Sequence, residues 1–264
     1  MTKPSLLVVL PSLGQRLGYL ERALKTCVGL ANFADVSVCA VIPDTSPQAK
    51  AQALSYGATV LSDPGRGMSA AINAALAWSE DVRYYTWLGD DDELVPEGVY
   101  GLIGALEDDK DAVLAHGYCE YIDENGRILG TNRAGTWASR LVSWGPNLIP
   151  HPGTVIRVDA LDRIGGFDES LRFVMDLDVF LRLRSVGGIT HRKVVASRFR
   201  WHADSTTVAA RRASSREARM VKVRYLPVTL RAISALWNYP VEWALWCAAA
   251  LITMRTRTNR RALH

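Results

Sequence analysis

The sequence Leu6-Leu7-Val8-Val9-Leu10, closed by Pro11-Ser12, decides the fold of this chain. A continuous apolar run of this length is typical of a strand that is covered on both faces, as in a parallel sheet. Further strand-like runs follow at residues 36–42, 58–61 and 84–88, and segments with the apolar spacing of helices separate them. Because strand and helix alternate in this way, we predict a doubly wound, mostly parallel α/β sheet of the Rossmann-like type.

The length and composition fit one α/β domain followed by a tail. The 264 residues are 48% hydrophobic, which allows a sizeable core, and the net charge is only +4. The four cysteines are far apart and form no CxxC pair, which argues against a zinc site and a disulfide scaffold. An apolar stretch of about 18 residues and a signal-type segment are both missing from the sequence. We therefore expect a cytoplasmic location, either free or peripheral on the inner face of the cell membrane.

Polar and acidic residues follow the predicted strands, at the edge where open α/β sheets bind their ligands. Pro11, Asp44, Asp63 and the triplet Asp90-Asp91-Asp92 all occupy such positions. Three adjacent carboxylates repel one another unless a cation compensates them. Together with the oxygens of a diphosphate, they would form a hard site for Mn²⁺ or Mg²⁺. The alternative is a solvated acidic turn ahead of the helix that follows Pro96.

Short motifs follow one another between about residues 5 and 207. Those of the first half are Pro11-Ser12, Pro43-Asp44, Asp63-Pro64-Gly65-Arg66-Gly67 and Gly89-Asp90-Asp91-Asp92. Those of the second half are His151-Pro152-Gly153-Thr154, Gly165-Gly166-Phe167-Asp168-Glu169, Met175-Asp176-Leu177-Asp178 and Arg200-Trp201-His202. In this order they resemble the donor half and the acceptor half of family 2 glycosyltransferases. The resemblance implies a GT-A fold and a metal-dependent, inverting transfer of one sugar from a UDP- or dTDP-sugar to a hydroxyl group. It also implies a glycan or lipid-linked acceptor, as in bacterial cell-envelope synthesis.

The resemblance assigns donor-binding roles to residues of the first half. Asp44 corresponds to the acid that hydrogen-bonds the nucleobase, and Asp63 and Arg66 to groups near the base and the diphosphate. Arginine suits phosphate oxygens. The alternatives are a surface arginine in a glycine-flanked loop for Arg66 and a turn residue after Pro43 for Asp44. Pro11, Asp90 and Asp91 also belong to the donor side, with Asp91 on the ribose. Asp92 corresponds to the direct metal ligand.

The second half supplies the acceptor side. Asp176 corresponds to the catalytic base, and His202 to an additional ligand of the metal or the diphosphate. A carboxylate ahead of a helix is also a natural N-cap, and Asp178 competes with Asp176 for either role. His202 reads alternatively as a structural histidine. Pro43 and Gly89 stand where many relatives have further acids, so base recognition is expected to differ. No QxxRW-type motif is present, which favours transfer of a single sugar over polymerisation.

We divide the chain into a catalytic domain, 1–212, and a basic helical tail, 213–264. Within the domain, residues 1–95 form the donor half and residues 96–212 the acceptor half. The tail contains an apolar run at 240–254 that is followed at once by four arginines. Tryptophan and arginine beside a short apolar helix suit a bilayer interface, whereas packing on the domain itself or in a homodimer is the alternative. We expect no nucleic-acid partner.

Two other functions are consistent with these residues. A sugar-nucleotide nucleotidyltransferase also uses a doubly wound sheet with acidic metal sites, but it needs a glycine-rich basic loop after the first strand. Residues 13–18 form only a poor version of that loop. A catalytically inactive nucleotide-sugar-binding partner is the second alternative, and the presence of both Asp92 and Asp176 argues against it.

Overall fold

The computed structural model of the chain describes residues 3–201, 211–240, 243, 244 and 247. Within these residues, nine strands form a single sheet. In chain order they are β1 (Ser5–Pro11), β2 (Asp35–Ile42), β3 (Thr59–Ser62), β4 (Tyr84–Trp87), β5 (Glu93–Leu94), β6 (Ala112–Ile122), β7 (Ile128–Asn132), β8 (Thr154–Arg157) and β9 (Gly188–Arg200). Their order across the sheet is β3-β2-β1-β4-β8-β6-β9-β5, and β7 pairs with β6.

Helices connect the strands and cover both faces of the sheet. They are α1 (Leu17–Gly29), α2 (Pro47–Ser55), α3 (Met68–Trp78), α4 (Pro96–Asp108), α5 (Thr136–Leu141), α6 (Val158–Arg163), α7 (Met175–Leu183), α8 (Arg211–Tyr225) and α9 (Val228–Arg231). Two short 3-10 turns lie at Leu30–Asn32 and His151–Gly153.

The strand β1 shows why the apolar run decides the fold. Its residues point alternately to the two faces of the sheet. Leu7 and Val9 enter a core that α3, α6 and α7 cover, while Leu6, Val8 and Leu10 enter a core that α1, α2 and α4 cover. All five side chains are fully buried. The prediction of a doubly wound α/β sheet is therefore confirmed.

The two halves of the sheet differ in strand direction. In the first half, β1 pairs in parallel with β2 and β4, and β2 with β3. In the second half, β8 is antiparallel to β4 and β6, whereas β9 runs parallel to β6. Helix α4 lies so close to β9 that a Cβ atom on Gly98 would be 1.9 Å from the carbonyl oxygen of Val195. Only glycine fits at this crossing.

Helix α8 lies at the start of the region that the sequence analysis predicts to be a basic tail. It begins at Arg211 and packs against α7, and Val221 is fully buried in the core on that face. The first part of that region therefore packs against the domain, and the division into a domain and a tail stays a prediction. No helix in the described part of the chain is long and apolar enough to cross a membrane. Most of the apolar run at 240–254 lies outside the described residues.

Candidate active site

The carboxyl ends of the parallel strands meet at one edge of the sheet, where the sequence places the site. The backbone N–H of Ser12, just after β1, donates to the carbonyl of Val41 in β2 at 3.0 Å. The N–H of Leu88, just after β4, donates to the carbonyl of Val9 in β1 at 3.0 Å. The loops that follow these three strands are therefore neighbours.

Asp90 and Asp91 are compensated from within the protein. The Ser12 hydroxyl donates to Asp90 Oδ2 at 2.6 Å. The guanidinium of Arg16 lies 3.4 Å from Asp90 Oδ1 and 2.8 Å from Asp91 Oδ2. Arg16 stands in the loop between β1 and α1, and the sequence pattern assigned it no role in the site. The cation that the acid triplet requires is therefore supplied in part by the chain itself.

Asp92 is the buried acid at the cavity, with an exposed fraction of 6%. Its Oδ1 accepts the backbone N–H of Arg200 at 2.9 Å. Burial, and then the neighbouring charge of Asp91, raise the pKa of Asp92 well above its usual range. A divalent cation would favour the ionised carboxylate, so Asp92 fits the chemistry of a hard oxygen ligand.

In the part of the chain that the structure describes, no three His, Cys, Asp or Glu side chains are grouped to hold one metal ion. His202, the other metal ligand predicted from the sequence, lies outside that part. Diphosphate oxygens and water would complete the coordination around Asp92.

Arg200, at the end of β9, holds the acidic loop in place. Its side chain is fully buried, and it donates to the carbonyl oxygens of Asp91 and Asp123, each at 2.8 Å. It also forms an ion pair of 2.6 Å with Glu93, and its guanidinium lies 4.8 Å from the ring centre of Tyr19. A buried guanidinium that is fully engaged in this way fixes the backbone that carries Asp91 and Asp92.

A cavity of about 300 Å³ joins Asp92 to Asp176. Most of its wall is aromatic or apolar, with a few polar groups, as is usual for a binding site for small molecules. Its aromatic lining residues are Trp87, Tyr121, His151, Phe173, Phe199 and Trp201. The ring of His151 lies 4.1 Å from that of Trp87, and burial lowers the pKa of His151 well below its usual range. This histidine is therefore neutral at physiological pH.

Asp176 enters the cavity from the first turn of α7. The helix begins one residue earlier, at Met175, and its N-cap is Val174, so Asp176 is not the N-cap. Asn147 Nδ2 donates to Asp176 Oδ2 at 3.1 Å. Burial raises the pKa of Asp176 to about 6, and hydrogen bonds from the backbone and from Asn147 oppose this shift. A carboxylate whose pKa lies near physiological pH is suited to general-base catalysis.

Asp178 has a structural role. Its side chain is buried away from the cavity and forms an ion pair of 2.6 Å with Arg182. Its other oxygen accepts the hydroxyl of Tyr225 in α8 at 2.8 Å. The sequence left open which of the two acids of α7 is the candidate base. In the structure it is Asp176 that faces the cavity.

The other residues that the sequence analysis predicts for the donor side lie at the same edge of the sheet but do not line this cavity. Asp44 follows β2, is largely exposed, and pairs with Lys50. Asp63 follows β3, and its Oδ1 accepts the N–H of Gly65 at 2.9 Å. Arg66 is 67% exposed and forms an ion pair of 2.7 Å with Glu169. Pro11 is the half-buried last residue of β1.

A larger cavity, of about 700 Å³, lies elsewhere. Its lining residues include Arg83, Asp111 and Gly187, which precede β4, β6 and β9. The cavity therefore opens at the opposite edge of the sheet from the acid triplet. Ligands of open α/β sheets bind at the carboxyl edge, so the smaller cavity is the candidate active site.

Comparison with curated proteins finds glycosyltransferases at low identity. An uncharacterised glycosyltransferase of Rickettsia prowazekii is 27% identical over 202 residues, which cover 73% of this chain and 63% of that protein. Chondroitin synthase of Pasteurella multocida is 23% identical over 198 residues, which cover 72% of this chain and 20% of that protein. The chain thus spans less than two thirds of the length of these relatives.

Solved structures share the fold. The mannosyltransferase PcManGT from Pyrobaculum calidifontis, in complex with GDP-Man and Mn²⁺, has a TM-score of 0.62 at 15% identity, covering 100% of this chain and 82% of that one. S. aureus TarS 1–349 in complex with UDP-GlcNAc has a TM-score of 0.60 at 13% identity, covering 83% and 66%. The fold is that of the GT-A class.

The family model described as glycosyl transferase family 2 matches residues 8–165, which is more than half of the chain. The chain belongs to glycosyltransferase family 2. The resemblance read from the sequence motifs is confirmed.

Proposed function

We propose that this protein is an inverting, metal-dependent glycosyltransferase. It moves one sugar from a UDP- or dTDP-sugar to a hydroxyl of a glycan or lipid-linked acceptor. One observation carries the proposal: Asp92, at the end of the parallel half of the sheet, and Asp176, at the start of α7, line the same cavity. Such a transfer requires a buried acid at the carboxyl ends of the parallel strands, where the nucleotide would bind, and a second acid with a raised pKa that can act as the base.

The donor side rests on the acid triplet and its surroundings. A bound Mn²⁺ or Mg²⁺ would neutralise the charge that develops on the leaving nucleoside diphosphate. Asp92 would hold this ion, while Asp91 and Asp90 are kept in place by Arg16, Ser12 and the backbone contacts of Arg200. These contacts hold the acidic loop in one arrangement, which is the preorganisation that electrostatic stabilisation of a leaving group needs.

The nucleobase and diphosphate would extend along the carboxyl ends of β2 and β3. Asp44 and Asp63 stand at these two ends, and Arg66 lies in the loop after β3. Asp44 and Arg66 are exposed and Asp63 is half-buried. All three can change partners, because their present contacts are surface ion pairs or loop hydrogen bonds, which are weak in water.

The acceptor side rests on Asp176. Its pKa of about 6 leaves the carboxylate mostly ionised at neutral pH, yet basic enough to take a proton from a hydroxyl. Asn147 orients the carboxylate, and the first turn of a rigid helix carries it. In the proposed reaction Asp176 removes the proton of the acceptor hydroxyl as that oxygen attacks the anomeric carbon. Attack from the face opposite the leaving diphosphate inverts the configuration at this carbon.

A lipid-linked acceptor is supported by exposed apolar side chains near the C-terminal end of the described residues. Trp144 and Trp237 are in contact, with ring centres 5.9 Å apart, and Leu236 and Trp243 are strongly exposed. The sequence between residues 211 and 240 contains six arginines, and Glu217 is its sole acid. Exposed tryptophan and arginine together suit the surface of an anionic bilayer. The protein would then act as a peripheral protein on the inner face of the membrane.

Calorimetric titration separates this proposal from its alternatives. The purified protein is titrated with UDP- and dTDP-sugars and, separately, with nucleoside triphosphates, with and without Mn²⁺. We expect Mn²⁺-dependent binding of a nucleotide sugar, and its loss in Asp92→Asn but not in Asp81→Asn, an exposed control at the opposite edge of the sheet. Preferential binding of a triphosphate would instead favour a nucleotidyltransferase. Donor binding without any turnover would favour an inactive binding partner.

A further inference from the structure

Glu217, in α8, holds the segment that leads into α7. One carboxylate oxygen accepts the backbone N–H of Arg172 at 2.9 Å. The other accepts the N–H groups of Phe173 at 2.6 Å and Val174 at 3.0 Å. Three consecutive backbone donors thus converge on one side chain that lies more than forty positions further along the chain.

This arrangement replaces a local cap. The N-cap residue of α7 is Val174, and it makes no side-chain capping hydrogen bond. Hydrogen bonds to a carboxylate are about twice as strong as those between neutral groups. A negative charge at the beginning of a helix is also favoured by the helix dipole. Glu217 therefore fixes where α7 begins and in which direction its first turn points.

The fixed segment borders the active-site cavity. Arg172, Phe173 and Met175 line the cavity together with Asp176, which follows Val174 by two residues. Helix α8 also reaches the other support of Asp176, because Lys222 Nζ donates to the carbonyl of Gly145, two residues before Asn147. A single helix thus braces both the backbone that carries Asp176 and the loop that carries its hydrogen-bond donor.

We propose that Glu217 is a positioning residue for the general base. It touches neither donor nor acceptor, and it acts by holding the first turn of α7 so that the Asp176 carboxylate faces the acceptor hydroxyl. This inference rests on the proposed role of Asp176. A displacement of a catalytic group by about 1 Å can cost roughly 10²-fold in rate. Loss of Glu217 should therefore slow the chemical step and leave donor binding intact.

The test compares Glu217→Ala and Glu217→Gln with Tyr225→Phe. The control removes a hydrogen bond between α8 and α7, at Asp178, without touching residues 172–174. We expect kcat to fall about 10- to 100-fold in Glu217→Ala. The donor KM and donor affinity should stay near wild type. Glu217→Gln keeps one carbonyl oxygen, so its kcat should be intermediate. Tyr225→Phe should lower the melting temperature and keep kcat.

Three outcomes would overturn the inference. One is a kcat in Glu217→Ala no lower than in Tyr225→Phe. Another is a parallel loss of donor affinity in Glu217→Ala, and the third is a wild-type kcat in Glu217→Gln. If Glu217→Ala does not fold, the Gln variant decides alone. Asp176→Asn is measured in the same experiment, so that a failure of the positioning role can be distinguished from a failure of the general base. Full activity in Asp176→Asn would contradict the proposed role of Asp176 as the general base. An inactive Asp176→Asn together with a fully active Glu217→Ala would contradict only the positioning role of Glu217.

Discussion

Replacing Asp176 with asparagine should make the protein slower and, above about pH 6, more stable. The rate should fall about 10²- to 10⁴-fold, which is the usual cost of removing a general base. Donor affinity should not change, because the role proposed for Asp176 concerns the acceptor hydroxyl and not the nucleotide. The opposite signs of the two effects make this substitution a sharp test, since a variant that is merely misfolded would lose both activity and stability.

The magnitude of the stability effect follows from the pKa. Burial raises the pKa of Asp176 from 3.8 to about 6 in the folded protein. A shift of about two units corresponds to roughly 3 kcal/mol, and contact of the side chain with water in the cavity reduces this to about 1–2 kcal/mol. Because the folded-state pKa is the higher one, the favourable contribution is complete below about pH 4 and is lost as the pH rises through about 6. At pH 8 the wild type therefore carries the full penalty of a buried charge, and the Asp176→Asn variant avoids it.

The assay is thermal unfolding of both proteins at pH 4.5 and pH 8, together with transfer kinetics. A gain of about 1–2 kcal/mol corresponds to a melting temperature about 2–8 °C higher for a domain of this size. We expect this gain at pH 8 and a much smaller one at pH 4.5. The matched control is Asp178→Asn, which weakens a buried ion pair with Arg182 and should lower stability by about 3 kcal/mol. Full transfer activity in Asp176→Asn, or a lower melting temperature at pH 8, would refute the reasoning.

The other predictions concern the donor side and the membrane. Asp92→Asn should abolish Mn²⁺-dependent donor binding, and Asp91→Asn should weaken it less; calorimetry with unchanged affinity in Asp92→Asn would rule out the metal assignment. Arg200→Met should lower the free energy of unfolding by about 3 kcal/mol in urea titrations, because it leaves the Glu93 carboxylate without its buried partner. A variant that lacks residues 238–264 should no longer sediment with anionic vesicles while it keeps turnover of a water-soluble acceptor analogue. A full-length protein that never sediments would contradict the membrane interface.

The parallel half of the fold could be predicted because its signals are local. The run Leu6–Leu10 buries every side chain, and the helices between the strands carry one apolar face each. The acid triplet was recognisable for the same reason, since it follows a buried strand directly. The motif around Asp176 pointed to a segment that lines the cavity, and the structure places Asp176 in the first turn of α7 and not at its N-cap.

The second half could not be predicted in the same detail, because its elements depend on distant partners. The strand β9 was not predicted. Its first part, up to Lys193, is mostly polar, and the close approach of α4 at Gly98 becomes evident only in three dimensions. Residues 134–149 contain only the short helix α5, and the rest of this segment is held by contacts with other elements.

The supporting residues of the site were missed for a related reason. Arg16, Arg200 and Glu217 are charged residues whose sequence neighbourhoods look like ordinary surface. Each acts through partners that lie far away in the chain: Arg16 on Asp90 and Asp91, Arg200 on the acidic loop, and Glu217 on the start of α7. Of these three residues, only Arg200 could have been found from the sequence. It belongs to the motif Arg200-Trp201-His202, which the family resemblance had already singled out.

The proposed inverting transfer with Asp176 as the base is tested most directly by the anomeric configuration of the sugar that the protein releases. Proton NMR can follow slow hydrolysis of an α-linked UDP- or dTDP-sugar with Mn²⁺, with water in place of the acceptor, and the anomeric signals are read before mutarotation mixes them. We expect the β-anomer to appear first, and we expect Asp176→Asn to bind the donor and to release this anomer far more slowly. Initial release of the α-anomer, or equal rates in the two proteins, would contradict an inverting transfer with Asp176 as the base.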